Sequence, residues 1–152
     1  MYNTLGQLTL IAGLPGSGKT RWMKKNFPTA DFLMIDDFMA HALHDIGRFT
    51  YSLWYFPLVF ALRSGRNAVI SDIAFCEDER RKEAERVMSD SVKDLVYRWH
   101  FFEHAAAICR QNIERRAREE GNTQEDAFRE LNRLSPLYHI PSGFPVEPVF
   151  RP

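Results

Sequence analysis

Gly13-Leu14-Pro15-Gly16-Ser17-Gly18-Lys19-Thr20 is the stretch on which the fold turns. It fits GxxxxGK[ST] at every position, the pattern of a phosphate-binding loop. Each residue type has a chemical reason to be there. Glycines let the backbone curl into a nest whose amide N–H groups converge on phosphate oxygens. A helix opening at Lys19 would add the positive end of its dipole. Lys19 is placed to reach the outer phosphates, and the Thr20 hydroxyl to ligate magnesium. A glycine-rich turn could carry the same letters by chance, but its flanks argue otherwise. Leu8-Thr9-Leu10-Ile11-Ala12 is a short β-prone apolar run, and a helix is expected from Lys19 to just before Pro28.

Working outward, the same alternation repeats. Phe32-Leu33-Met34-Ile35 is a second short strand closed by Asp36-Asp37, and Ala68-Val69-Ile70-Ser71-Asp72 is a third. Residues 38–64 read as helical with a break at Pro57. Asp78 to Ser89 is a charged helix, Leu95 to Phe102 a fourth strand, and Ala105 to about Glu119 a further helix that stops near Gly121-Asn122. Thr123 is expected to open the last helix, with Asp126 completing a capping-box pattern. Ser135-Pro136 closes that helix, and the proline-rich tail offers at best a short edge strand at Pro148-Val149-Phe150. Strands alternating with helices give an α/β fold of three layers, the P-loop NTPase arrangement, with a mostly parallel sheet and a helical lid. Residues 1–152 form one domain on this reading. Ligands of such sheets bind beyond the carboxyl ends of the strands, where the loop and the strand-end acids fall.

Those acids suggest chemistry. Asp36, about 17 residues after Lys19, would lie beside the phosphate loop and could orient and deprotonate an acceptor hydroxyl, with Asp37 as helix cap or second contact. Asp72 could hold magnesium directly or through water. Alternatively each of these acids caps the helix that follows it. On the helix after the fourth strand, Ala106, Cys109, Ile113 and Ala117 recur at core spacing. Asn112 and Arg115 are expected to point away from that stripe, and Arg116 and Arg118 to flank it. Arg115 and Arg116 are the candidate phosphate contacts, because planar guanidinium forks neutralise charge as a phosphoryl group moves. Arg110 and Arg118 read as solvated surface.

Composition sets limits. The chain is 45% apolar, 13% aromatic and 26% charged, with twenty basic residues against twenty acidic ones. That balance gives no sign of a nucleic-acid or membrane partner. Cys76 and Cys109 lack ligand spacing and read as buried hydrophobes of a reducing compartment. No signal-peptide layout or membrane-length apolar run is present, so a cytoplasmic location is expected. No Asn-Lys-x-Asp guanine-reading motif occurs, which favours ATP over GTP.

Taken together, these residues resemble the small P-loop kinases grouped around polynucleotide kinase, zeta-type toxins and gluconate kinase. The likeness rests on the GxPGSGK loop, the Asp36-Asp37 and Ser71-Asp72 strand ends, and Asn112 through Arg116, over roughly residues 8–135. It implies that Asp36 is the general base. The family's lid commonly reads Arg-Asn-x-x-Arg. Here Gln111 replaces the first arginine and Arg115 matches the second. Met39 stands near the position where polynucleotide kinases carry a phosphate-gripping arginine, so a small-molecule acceptor is favoured over a nucleic acid. The helical segment before Gly65 is where this family places its acceptor. Phe49, Leu53, Phe56 and Phe60 form one stripe there and Tyr51, Tyr55, Leu58 and Leu62 another. Both read as core, with Trp54 the better ligand contact. His41, His44 and Asp45 read as polar surface. The expectation is an ATP- and magnesium-dependent kinase acting on a hydroxyl. A P-loop ATPase, a nucleotide-dependent regulatory protein and a binding module without chemistry are the alternatives.

Overall fold

Leu8–Ala12, strand β1, is buried over its whole length and sits at the centre of the sheet. Its central place explains its composition, since a strand with neighbours on both sides and layers on both faces has no surface to make polar. A computed structural model describes residues 4–36 and 55–152. Around β1 lie β2 (Phe32–Ile35), β3 (Asn67–Ser71), β4 (Tyr97–Phe102) and β5 (Val146–Glu147), in the order β2-β3-β1-β4-β5. Every pairing is parallel. The register sets Ile11 opposite Ser71 on β3 and His100 on β4, so the ends of the three central strands are level.

Among the described residues the α-helices are α1 (Lys19–Asn26), α2 (Tyr55–Arg63), α3 (Asp78–Ser91), α4 (Ala106–Glu120) and α5 (Glu125–Leu134). Period-two alternation divides β1 between two cores. Leu8, Leu10 and Ala12 join a large cluster with Leu58 and Leu62 of α2, Ala84, Val87 and Met88 of α3, Cys109 and Ile113 of α4, and Leu131 and Leu134 of α5. Ile11 faces a smaller cluster under α1, with Met23, Phe27, Val69 and Phe102. Three layers result.

Four local expectations change. Helix α2 runs through Pro57 without the expected break. Of the two aromatic stripes, the core reading holds for Leu58 and Leu62, while Phe56 and Phe60 are exposed. Phe49, Tyr51, Leu53 and Trp54 lie outside the described residues, as do Asp37, Met39, His41, His44 and Asp45. The capping box does not form. Helix α5 starts at Glu125 behind Gln124, which adopts a left-handed φ of 52° and makes no side-chain cap. The Gln124 amide instead donates to Glu120 at 3.0 Å and Asn122 at 2.5 Å, tying down the turn that Gly121 opens. In the tail, the edge strand comes earlier, at Val146–Glu147. Pro148 has no N–H for a ladder, and the Val149 N–H goes to Glu103 Oε1 at 3.0 Å.

Candidate nucleotide site

The loop between β1 and α1 has the shape its glycines allow. Gly16 and Gly18 take φ values of +84° and +93°, a region closed to most side chains. At Gly18 a Cβ would also stand 2.7 Å from the Phe150 Cβ, so both backbone conformation and space require glycine. The Ser17 N–H donates to the Leu14 carbonyl at 3.1 Å, closing the turn. No acidic residue occupies the first turn of α1, so nothing on that turn competes for the positive end of the dipole.

Lys19 is 3% exposed. Its ammonium donates to the carbonyls of Gly13 at 2.8 Å and Leu14 at 3.1 Å, and reaches Ser17 Oγ at 3.5 Å. A buried ammonium must be hydrogen-bonded to offset its lost hydration, and these carbonyls do so. Beneath the loop, burial pushes the Cys109 thiol up to about 11, so it stays protonated and packs as a hydrophobe. Tyr138, also buried, donates its hydroxyl to the carbonyls of Ala12 and Phe102, the last residues of β1 and β4.

A cleft of about 650 Å³ opens above the loop. Pro15, Gly16, Ser17, Gly18, Lys19 and Thr20 line one wall, and Arg115 and Arg116 of α4 line the other. Gly13 and Leu14 form the base of the loop. Leu14 is buried and contributes its carbonyl, while a Cβ on Gly13 would meet Ser17 Oγ at 2.9 Å and the Lys19 side chain at 3.1 Å. Arg115 pairs with Glu119 at 3.8 Å, and its guanidinium lies 5.5 Å from the Phe150 ring centroid.

The strand-end acids separate. Asp72 follows β3, directly beside β1, and is 1% exposed. Its Oδ1 accepts from the Ala74 N–H at 2.9 Å, capping the 3₁₀ turn Ile73–Cys76, and Ile73 reaches the cleft wall. Asp36 follows β2, and β3 intervenes between β2 and β1. Strand β2 is therefore two strand spacings, roughly 10 Å, from the loop's strand, and neither Asp36 nor Asp72 is among the residues lining the cleft. Of the two strand-end acids, Asp72 is the one whose strand adjoins β1.

Two residues hold the site in ways the sequence reading did not anticipate. Asn112 was expected on the outer face of α4, yet it is 7% exposed and donates to the carbonyls of Gly16 at 2.9 Å and Phe150 at 2.8 Å. Buried amides seek carbonyls, and the carbonyls here come from segments that helical periodicity does not register. Phe150, from the tail, donates its backbone N–H to the Ser17 carbonyl at 3.0 Å and lines the cleft, with the Arg21 guanidinium 4.1 Å from its ring centroid. The tail is anchored at Glu103, whose carboxyl is held below the usual carboxylate range by Arg151 and the Val149 N–H.

A family model described as an AAA domain matches residues 8–135. No curated protein matches the sequence. Among solved structures, a gluconokinase from Sinorhizobium meliloti 1021 superposes with a TM-score of 0.62 at 16% identity, over 99% of this chain and 86% of that one. A candidate kinase from Chloroflexus aurantiacus superposes with a TM-score of 0.63 at 13% identity, over 96% and 85%. A candidate fructose transport system kinase from Silicibacter gives 0.56 at 14% identity, over 95% and 90%. At these identities the likeness is one of fold. It bears out the P-loop kinase architecture, which the gluconokinase shares.

Proposed function

Because this chain belongs to the AAA domain family, we propose that it is an ATP-dependent kinase that transfers the γ-phosphate to a hydroxyl of a small molecule. The observation that carries this is the cleft above the phosphate loop, where the loop and Lys19 face Arg115 and Arg116 of α4, with Glu119, Glu120, Asp126 and Glu130 lining the same cleft. Inward-pointing loop N–H groups and the α1 N-terminus would hold the phosphates nearest the nucleoside. Lys19 would exchange the Gly13 and Leu14 carbonyls for outer phosphate oxygens, keeping its hydrogen bonds while gaining a charged partner. Arg115 would turn from Glu119 toward the phosphate whose charge changes during transfer.

Magnesium fits the donor set. The Thr20 hydroxyl at the cleft and the buried Asp72 carboxylate beside β1 are hard oxygen ligands of the kind it prefers. When bound, the ion would neutralise charge shared between the outer phosphates. Asp36 suits a different task. A group two strands from the loop does not touch ATP, but it can face an acceptor lying between itself and the γ-phosphate, whose hydroxyl proton it would take. A small acceptor agrees with the neighbours named as kinases of gluconate and of a fructose transport system. No helix among the described residues is long and apolar enough to cross a membrane, so nothing in them requires a lipid partner.

The test is transfer of labelled γ-phosphate from ATP to a panel of polyols, sugar acids, nucleosides and oligonucleotides, with water alone as control. Label appearing on one class of hydroxyl supports the kinase. Label released only as inorganic phosphate favours hydrolysis. Asp36→Asn should lower transfer roughly 10²–10⁴-fold, the usual contribution of a general base. Calorimetric ATP affinity of the same variant should stay within about threefold of wild type, because that carboxylate lies away from the cleft.

A further inference from the structure

The loop carbonyls suggest how the nest is held in shape. A nest turns its N–H groups inward, so its carbonyls must turn elsewhere and find partners. The Gly13 and Leu14 carbonyls accept from Lys19. The carbonyls of Gly16 and Ser17 accept from outside the loop altogether. Gly16 is held by the Asn112 amide at 2.9 Å, and Ser17 by the Phe150 N–H at 3.0 Å. The second hydrogen of the same Asn112 nitrogen goes to the Phe150 carbonyl at 2.8 Å. One buried amide thereby fastens the loop, the arginine helix and the tail together, across 96 and 38 residues of chain.

We propose that Asn112 is a positioning residue of the nucleotide site, and that with the Phe150 backbone it clamps the phosphate loop in its binding shape before nucleotide arrives. This rests on the nucleotide-binding reading above and adds to it the residues that make the loop competent. The two sets of bonds differ in their fate. Lys19 must leave its carbonyls to meet phosphate, whereas Asn112 and Phe150 hold other carbonyls, those of Gly16 and Ser17, and have nothing to release. Gly16 and Gly18, whose positive φ values leave the loop many alternatives in the absence of restraint, are the residues the clamp brackets. The clamp also sets the arginine helix in register. Arg115 stands one turn beyond Asn112 and packs on the Phe150 ring.

The experiment compares wild type with Asn112→Leu, which keeps the branching at Cγ and removes both donors. Two quantities are read: calorimetric affinity for magnesium-ATP, and hydrogen exchange of the Gly16, Ser17 and Gly18 amides in the ligand-free protein. With the loop less often in its competent shape, apparent affinity should fall about tenfold, in proportion to the lost population. The loop amides should exchange faster while those of β1 and β3 keep their protection. A lower melting temperature with affinity within twofold of wild type and unchanged loop exchange would overturn the proposal and leave Asn112 a purely structural residue. Should Asn112→Leu fail to fold, Asn112→Ser keeps one donor, and its affinity is expected to fall about threefold. No fall in Asn112→Ser overturns the proposal equally. If wild type itself does not bind magnesium-ATP, the nucleotide reading fails, and the exchange measurement still decides whether the clamp holds the loop.

Discussion

The two walls of the cleft hold their cations in opposite ways. On the loop wall, Lys19 is 3% exposed and bonded to backbone carbonyls fixed by the fold. On the helix wall, the Arg115 side chain is 29% exposed and rests against Glu119, itself 69% exposed, at 3.8 Å. An exposed pair of that kind contributes roughly 0.2–1 kcal/mol, and salt screens it. The loop is therefore built before ligand arrives, while the arginines are parked on a partner they can leave cheaply. Preorganised donors are worth most in a transition state because they need not rearrange then. Loosely held arginines suit a wall that closes on its substrate.

The contrast is tested most severely at Lys19. Lys19→Ala should cost about 2.7–4 kcal/mol of transition-state stabilisation, or roughly 10²–10³ in single-turnover phosphate transfer. It should also destabilise the ligand-free protein by about 1–3 kcal/mol in denaturant unfolding, because buried carbonyls of Gly13 and Leu14 lose their donor. Activity within threefold of wild type would remove the loop from catalysis. An unchanged unfolding midpoint would mean that water replaces the ammonium and that the loop is less preorganised than its bonds imply.

Arg115→Ala should act more weakly on transfer and scarcely on stability. The expected loss in kcat/KM is about tenfold to a hundredfold, some 1.4–2.8 kcal/mol, the range of a charge-assisted hydrogen bond with part of its ion-pair cost returned. Arg115→Lys should recover little of this, since an ammonium cannot reproduce the planar fork. Unfolding in denaturant should shift by less than about 0.5 kcal/mol, as for other exposed charges. A large loss of stability with intact transfer would make α4 a structural helix and Arg115 one of its supports.

The two walls also differ in how much of each can be read from the chain. The loop is local: eight consecutive residues specify its turns, its dipole and its lysine, and the flanking strand and helix fall where expected. The sheet's central strands and their acids at the ends were legible for the same reason. The order of those strands was less so. Asp36 and Asp72 look equivalent in sequence, and only the insertion of β3 between β1 and β2 puts Asp72 on the strand next to β1 and Asp36 on the strand beyond it. Asn112 and Phe150 were hidden for a further reason. Periodicity ranks a helical residue by its neighbours three and four positions away. Asn112, by contrast, is buried by a loop 96 residues earlier and a tail 38 residues later. The tail carries no periodic signal at all, and a run of prolines reads as an ending and not as the strap that closes a site. The capping box at Thr123 did not form because the helix starts one residue later than the motif places it, behind Gln124 in a left-handed conformation.

The smallest effect bears most directly on the helix wall. If Glu119 only parks Arg115, removing its charge should cost the ligand-free protein less than about 0.5 kcal/mol, the usual size of an exposed i,i+4 pair. Glu119→Gln should also raise ATP affinity, by up to about threefold, because Glu119 lines the cleft and repels a polyphosphate while holding its arginine back. Calorimetry at low and at high ionic strength checks both parts of the argument. The gain should shrink as salt shortens the reach of the carboxylate, while the Asn112 and Lys19 effects, made by buried hydrogen bonds, should change much less. A tenfold loss of affinity in Glu119→Gln would mean that the ion pair aims Arg115 at the phosphates. Both walls would then be preorganised, one by backbone carbonyls and the other by a surface carboxylate, and the cleft would be rigid on both sides.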